Sequence, residues 1–274
     1  MQIFRDRVTT DIQDGLARVR LARPDKHNGM DFPMLQGVLD ACRSLRRDRS
    51  IRVAILSGDG PSFCAGLDFK TVLSKPVHAA AGYAKLWKPT RNDFQAWSMA
   101  WRELPFPVIA AVHGNCFGAG IQLALGADIR IATPNAKLSV MESKYGLVPD
   151  MGGAALLREL VPLDVAKELC FTGRILSGTD AHRLGLVTHL DADPQAAAEK
   201  LAAEIVTRSP DAIAAGKFLL QQAWHDEESA ALSFERHWQR RLMGRANQRI
   251  AVKNNLSREA QANPKPYLPR SVRA

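Results

Sequence analysis

Two hydrophobic periods alternate along the chain. Leu16-Ala17-Arg18-Val19-Arg20-Leu21 repeats every second residue, as a strand with one buried face does. It is preceded by Val8–Gln13 and by Asp14-Gly15, a pair suited to a tight hairpin turn. After the loop Arg23-Pro24-Asp25-Lys26-His27-Asn28-Gly29, Asp31 stands where a helix N-cap belongs. Phe32, Leu35, Val38, Leu39 and Cys42 then share one helical face, which predicts a helix to about Arg46.

Strand, glycine loop and helix follow one another from there. Apolar runs at Ile51–Leu56, Val108–Val112 and Ile129–Ile131 read as strands. The first ends at Ser57-Gly58-Asp59-Gly60-Pro61 and the second at His113-Gly114-Asn115, and a helix is expected to start near Gly118. This alternation argues an α/β architecture. Residues 71–100 break the rhythm with Ala, Trp and Tyr, and with Pro76 and Pro89. Helical pieces covering a pocket are expected there, with Leu73, Tyr83, Leu86, Trp87, Phe94 and Trp97 as its wall, as core or at an interface. Strand signals fade after about 151, and 194–208, 210–225 and 227–256 read as helical, before an irregular Pro264–Arg270. The division expected is a core over 1–200 and a C-terminal helical region over 201–274.

Composition narrows the class. With 46% hydrophobic and 24% charged residues, the chain has the make-up of a soluble globular protein. It lacks an apolar run long enough to span a bilayer, and its first residues, Met1-Gln2-Ile3-Phe4-Arg5-Asp6-Arg7, lack a secretory core. Neither membrane nor secretion is expected. Cys42, Cys64, Cys116 and Cys170 form no CxxC pair, which speaks against zinc and disulfides and for a cytoplasmic setting. The net charge of +9 leaves two readings, a solvated basic surface or attraction for a phosphorylated ligand. The basic clusters do not interleave aromatics as a single-strand platform would, so nucleic acid is not the expected partner.

Two glycine turns carry the chemistry. Ser62-Phe63-Cys64-Ala65-Gly66-Leu67-Asp68 and His113-Gly114-Asn115-Cys116-Phe117-Gly118-Ala119-Gly120-Ile121-Gln122 each follow a strand and open a helix. Small residues there admit a ligand to the main chain, and free N–H groups at a helix start can grip an anion. Neither turn is a GxGxxG, GxSxG or Walker A motif. Together, in this order, they resemble the crotonase superfamily of enoyl-CoA hydratases and isomerases. Leu21–Asn28 looks like that family's CoA-binding loop, and Ala65-Gly66-Leu67-Asp68 and Phe117-Gly118-Ala119-Gly120 look like its oxyanion turns. Tyr145–Gly153 resembles the segment beyond its catalytic strand, and the likeness runs from about Ile12 to Gln222.

The resemblance implies a crotonase-like spiral of ββα units with a C-terminal helical region, and a homotrimer or homohexamer. It implies an acyl-CoA substrate, with coenzyme A present only as part of the thioester and no metal. Oxyanion donors are expected at the backbone N–H of Leu67 and of Ala119. Substrate contacts are expected at Lys26, His27, Asn28, Ala65, Gly66, Asp68, Lys70 and Gly118. The catalytic positions implied are Gln122, Glu142 and Asp150. Hydratases carry a second glutamate where Gln122 stands, and an amide cannot take a proton from water. The family's dienoyl-CoA isomerases carry an aspartate eight residues after the glutamate, the spacing of Glu142 and Asp150. Double-bond isomerisation is therefore the leading expectation, and hydration the alternative. A non-enzymatic, RNA-binding homologue is a third reading, motivated by a pI near 9.6. Plainer roles stand beside these: Glu142 as a turn cap, Asp150 as the N-cap of a following helix, Gln122 as a backbone tie, and Lys26 and Lys70 as exposed lysines.

Overall fold

The computed structural model describes residues 1–73, 84, 86–256 and 258–273, with the side chains of residues 72 and 73 excepted. Its strands are β1 Gln2–Phe4, β2 Val8–Gln13, β3 Leu16–Leu21, β4 Val53–Gly58, β5 Val108–Val112, β6 Asn115–Phe117, β7 Ile129–Ala132, β8 Lys137–Ser139, β9 Leu176–Ser177 and β10 His189–Leu190. Seven form one sheet in the order β1-β2-β3-β4-β5-β7-β10. The expected hairpin pairs Gln13 with Leu16, and both Asp14 and Gly15 adopt the positive φ that such a turn needs. From β3 onward every neighbour is parallel.

Parallel strands are covered on both faces, and β4 shows the consequence. Ala54 and Leu56 point into the main core, while Val53 and Ile55 meet Ala198 and Ala202 of the helix Pro194–Val206 on the far side. That helix runs through residue 200 and packs on the sheet. Ala214, Ala215, Phe218, Trp238 and Val272 make a separate small core among the C-terminal helices. The last segment is irregular but pinned: Arg270 donates to the Ile51 carbonyl, and Asp211 accepts from the N–H groups of Ser271 and Val272.

A second sheet, β6-β8-β9, lies beside the first and is continued by the bridges Cys64–Cys116 and Met30–Leu67. Successive turns of the chain thus place a long strand in the large sheet and then a short segment in the second layer. The glycine turns lie in that second layer.

Two sequence readings change, and a third, left open, is sorted residue by residue. The two-residue strands β9 and β10 lie where the pattern showed none, too short to register a period. The helix expected over 227–256 is two, Glu228–Leu242 and Ala246–Leu256, interrupted at Gly244 with φ 70°. Among the expected pocket residues, Leu86 and Phe94 do line a cavity, but Trp87 is exposed and Trp97 is fully buried in the core. Tyr83 and the side chain of Leu73 lie outside the described residues. No described helix is long and apolar enough to cross a membrane.

Candidate active site

The first turn leaves β4 and folds back on the N-terminal loop. Ala65 N–H donates to the His27 carbonyl at 2.9 Å, Met30 N–H to the Gly66 carbonyl at 2.7 Å, and Asp68 N–H to the Met30 carbonyl at 2.9 Å. Gly66 has φ 95°, and a Cβ there would lie 2.8 Å from the Phe117 carbonyl oxygen and 3.8 Å from Ala119 N. Only glycine permits that approach, which brings the two turns together. In the second turn Gly118 donates to the Ser139 carbonyl, and Ala119 opens the helix Ala119–Leu125. Among the described residues, neither Leu67 N–H nor Ala119 N–H donates a hydrogen bond. Both residues line one cavity, as paired oxyanion donors must.

The turns are braced differently. Behind the first, the Arg23 guanidinium lies 2.9 Å from Asp68 and 3.6 Å from Asp31, and donates to the Gly29 carbonyl. Asp68 also accepts from the N–H and hydroxyl of Thr71. Burial alone would raise the Asp68 carboxyl, but the bonds from Thr71 and Arg23 outweigh it and hold the group below its ordinary range. Behind the second, the Trp97 indole N–H donates to the Ala119 carbonyl at 2.8 Å, and Trp101 donates to the Trp97 carbonyl. No charge takes part in that second brace.

Gln122, one turn into the second helix, is almost fully buried. Its Oε1 accepts from Met151 N–H and Gly153 N–H, both at 2.9 Å. Those bonds fix the amide's orientation, so its NH₂ donates to Glu142 Oε1 at 2.6 Å. Glu142 Oε2 is buried and, among the described residues, has no hydrogen-bond partner. Burial raises the Glu142 carboxyl, the Gln122 bond opposes this, and the charge of Asp150 raises it further. Burial of its inner side raises Asp150 as well, against a bond to its own backbone, although its outer side meets solvent. It does not cap the next helix: Gly152 occupies that position with no side-chain cap. Nor does the turn that Glu142 opens carry a side-chain cap; among the described residues the side chain that reaches its carboxyl is that of Gln122.

These groups meet in a cavity of about 470 Å³. Ala65, Gly66, Leu67, Gly118 and Ala119 line one part of it, and Gln122, Glu142 and Asp150 another. Five residues expected at the substrate do not line it. Asn28 is fully buried, and its amide ties Asp59, Ser62 and Arg23 together. His27 is bonded to Ser62, Asp68 is held by Arg23 and Thr71, and Lys26 and Lys70 are exposed. Asn28 and Asp68 thus shape the loops. Cys64 and Cys116 are buried beside the turns, where desolvation pushes their thiols up, Cys64 to about 12, and leaves both poor nucleophiles. The pattern alone missed Arg23, Asp31 and Trp97 as braces.

Comparison with known proteins agrees with this geometry. Human enoyl-CoA hydratase domain-containing protein 2, a mitochondrial protein, is 32% identical over 228 residues, 81% of this chain and 76% of its own. The (E)-benzylidenesuccinyl-CoA hydratase of Thauera aromatica is 32% identical over 214 residues, 77% of this chain and 80% of its own. The structure of a Thermobifida fusca relative in complex with CoA matches with TM-score 0.78 at 31% identity, covering 86% of this chain and 93% of that one. The sequence profile of the enoyl-CoA hydratase/isomerase family spans residues 11–258, both turns and Glu142 included, and the chain is thereby an enzyme of that family, a crotonase-superfamily member acting on acyl-CoA.

Proposed function

We propose that the enzyme shifts a double bond in an enoyl- or dienoyl-CoA, with Glu142 and Asp150 moving the protons. The observation that carries this reading is the commitment of Gln122. Its carbonyl is occupied by Met151 and Gly153 and its NH₂ by Glu142, so it offers no second acid–base group to a water. In the proposed reaction the thioester carbonyl lies between the N–H groups of Leu67 and Ala119. Glu142 Oε2 removes a proton from the acyl chain, and the electron pair passes to the carbonyl oxygen as the dienolate forms. Asp150 then delivers a proton to a carbon farther along the chain, and the carbonyl re-forms with the double bond moved. Raised carboxyls suit this relay, because each exchanges a proton near neutral pH more readily than an ordinary carboxylate.

The test is incubation with 2-enoyl-CoA and 3,5-dienoyl-CoA in heavy water, followed by mass and ultraviolet spectra. A conjugated diene carrying deuterium but no added water is expected, and Glu142→Gln should lower kcat by about 10²–10⁴-fold. Activity should fall as pH drops through the raised Glu142 value, because the base is then protonated. It should fall again as pH rises through that of Asp150, because the acid is then ionised. A pH–rate profile flat over both ranges would contradict the assignment.

Hydration is the second reading, and the names of the relatives favour it. It predicts addition of water to 2-enoyl-CoA, increased by Gln122→Glu. A homotrimer or homohexamer belongs to the same proposal. Exposed Leu220, Trp224 and Met243 on and beside the C-terminal helices support it, and light scattering of the purified protein tests it.

A further inference from the structure

The wall of the acyl cavity is one-sided in charge. Its ionisable lining residues are acidic, Asp31, Glu142 and Asp150, together with the phenol of Tyr145, and no Lys, Arg or His lines it among the described residues. Arg7, paired with the lining residue Asp31, and Arg23, paired with Asp31 and Asp68, already have carboxylate partners. The remaining lining is mostly apolar. Phe69 and Tyr145 stack at 4.5 Å between ring centroids, and Phe32 and Phe94 tilt against each other at 6.5 Å. Met30, Met141 and Met151 add thioethers, which pack well against aromatic rings.

From this lining we infer that the acyl group is uncharged and carries an aryl ring, and that acyl groups bearing a second, free carboxylate are rejected. The inference rests on the acyl-CoA reading of the same cavity. A carboxylate entering here would lose its water without gaining a cation, and would face Glu142 and Asp150 at close quarters. An aryl ring meets edges and faces of four aromatic side chains, the arrangement aromatic pairs favour.

Binding of unreactive, saturated thioesters to the full chain tests this separately from the reaction. Dissociation constants are measured by calorimetry for 3-phenylpropanoyl-CoA, hexanoyl-CoA, glutaryl-CoA and free CoA. The expected order is 3-phenylpropanoyl-CoA tightest, then hexanoyl-CoA, with glutaryl-CoA weaker than the first by about 100-fold and no tighter than CoA. Leu147→Arg, a cationic change at an exposed lining position, should strengthen glutaryl-CoA binding at least severalfold. Glutaryl-CoA binding within threefold of hexanoyl-CoA would overturn the inference. Hexanoyl-CoA binding as tightly as 3-phenylpropanoyl-CoA would overturn the aryl assignment. If no acyl thioester binds better than CoA, the acyl-CoA reading of the cavity fails instead.

Discussion

The two turns that supply the proposed oxyanion donors do the same work with opposite means. The Leu67 turn is backed by charge: Arg23 joins Asp68, one residue after the donor, to Asp31, which caps the helix Phe32–Arg47. The Ala119 turn is backed by an indole, with Trp97 holding the carbonyl of the donor's own residue inside an apolar core. A buried ion network is strong when complete and costly when broken, because the surviving charges stay buried. A single neutral hydrogen bond among close-packed side chains contributes less and fails more gently. The proposed donors line the same cavity, so the difference should appear in how each turn responds to mutation, pH and salt.

The severest way to break the comparison is at the point where the turns touch. Gly66→Ala places a methyl group 2.8 Å from the Phe117 carbonyl oxygen, on a residue at φ 95°. Either turn must move, and the shared oxyanion geometry is lost. A fall in kcat of about 10²–10³-fold is expected, the usual consequence of displacing one donor. Steady-state rates beside circular dichroism separate this from unfolding. A variant that keeps its fold and more than half its rate would show that the close approach is unnecessary.

Removing the charge from the first brace comes next. Arg23→Met leaves Asp31 and Asp68 buried without their shared partner, and should cost about 3–5 kcal/mol of stability in urea denaturation. The sign of the pH effect follows from Asp68. Its folded carboxyl lies below the unfolded value of about 3.9, so its contribution is present above that value and is lost as pH falls through the folded one. The natural chain should therefore lose this stability only in acid, and Arg23→Met should show a shallower acid slope. Equal slopes for the two proteins between pH 6 and 3 would remove Asp68 from the account.

The second brace should yield less. Trp97→Phe keeps a ring but deletes the N–H that reaches Ala119, with an expected loss of about 2 kcal/mol. Since the donor is loosened and the cavity unchanged, kcat should fall about tenfold with KM within about twofold. Neither salt nor pH between 5 and 8 should change that ratio, because no titrating group joins the brace.

The unequal braces also explain what could be read in advance. Local signals were reliable: Asp14-Gly15 marked a hairpin, Asp31 a cap, and both glycine turns were found by their position after strands. Residues whose role depends on distant chain were not. The plainer reading of Gln122 as a backbone tie holds, but no local pattern announces that the backbone it ties is that of Met151 and Gly153. Trp97 stays open between wall and core in the sequence because an apolar ring suits both alike, and its indole N–H, the part that matters, finds its acceptor only in the fold. Asn28 and Asp68 sat in the right motifs, but their side chains are spent on holding loops.

The smallest expected effect is the one that judges whether the two braces are separate devices. The turns share a bridge at Cys64 and Cys116, with Phe117 N–H donating to the Cys64 carbonyl and Cys64 N–H to the Asn115 carbonyl, so strain could pass between them. Yet among the described residues the Arg23 and Trp97 side chains have no hydrogen-bond or ion-pair partner in common: one holds Asp31, Asp68 and Gly29, the other Ala119. Independent braces predict that the stability losses of Arg23→Met and Trp97→Phe add in the double variant to within about 0.5 kcal/mol. A coupling above about 1 kcal/mol would mean that the bridge makes the two turns one rigid unit. The contrast between a charged and a neutral support would then describe two attachments of a single element, and the pH dependence assigned to the first turn should reappear at the second.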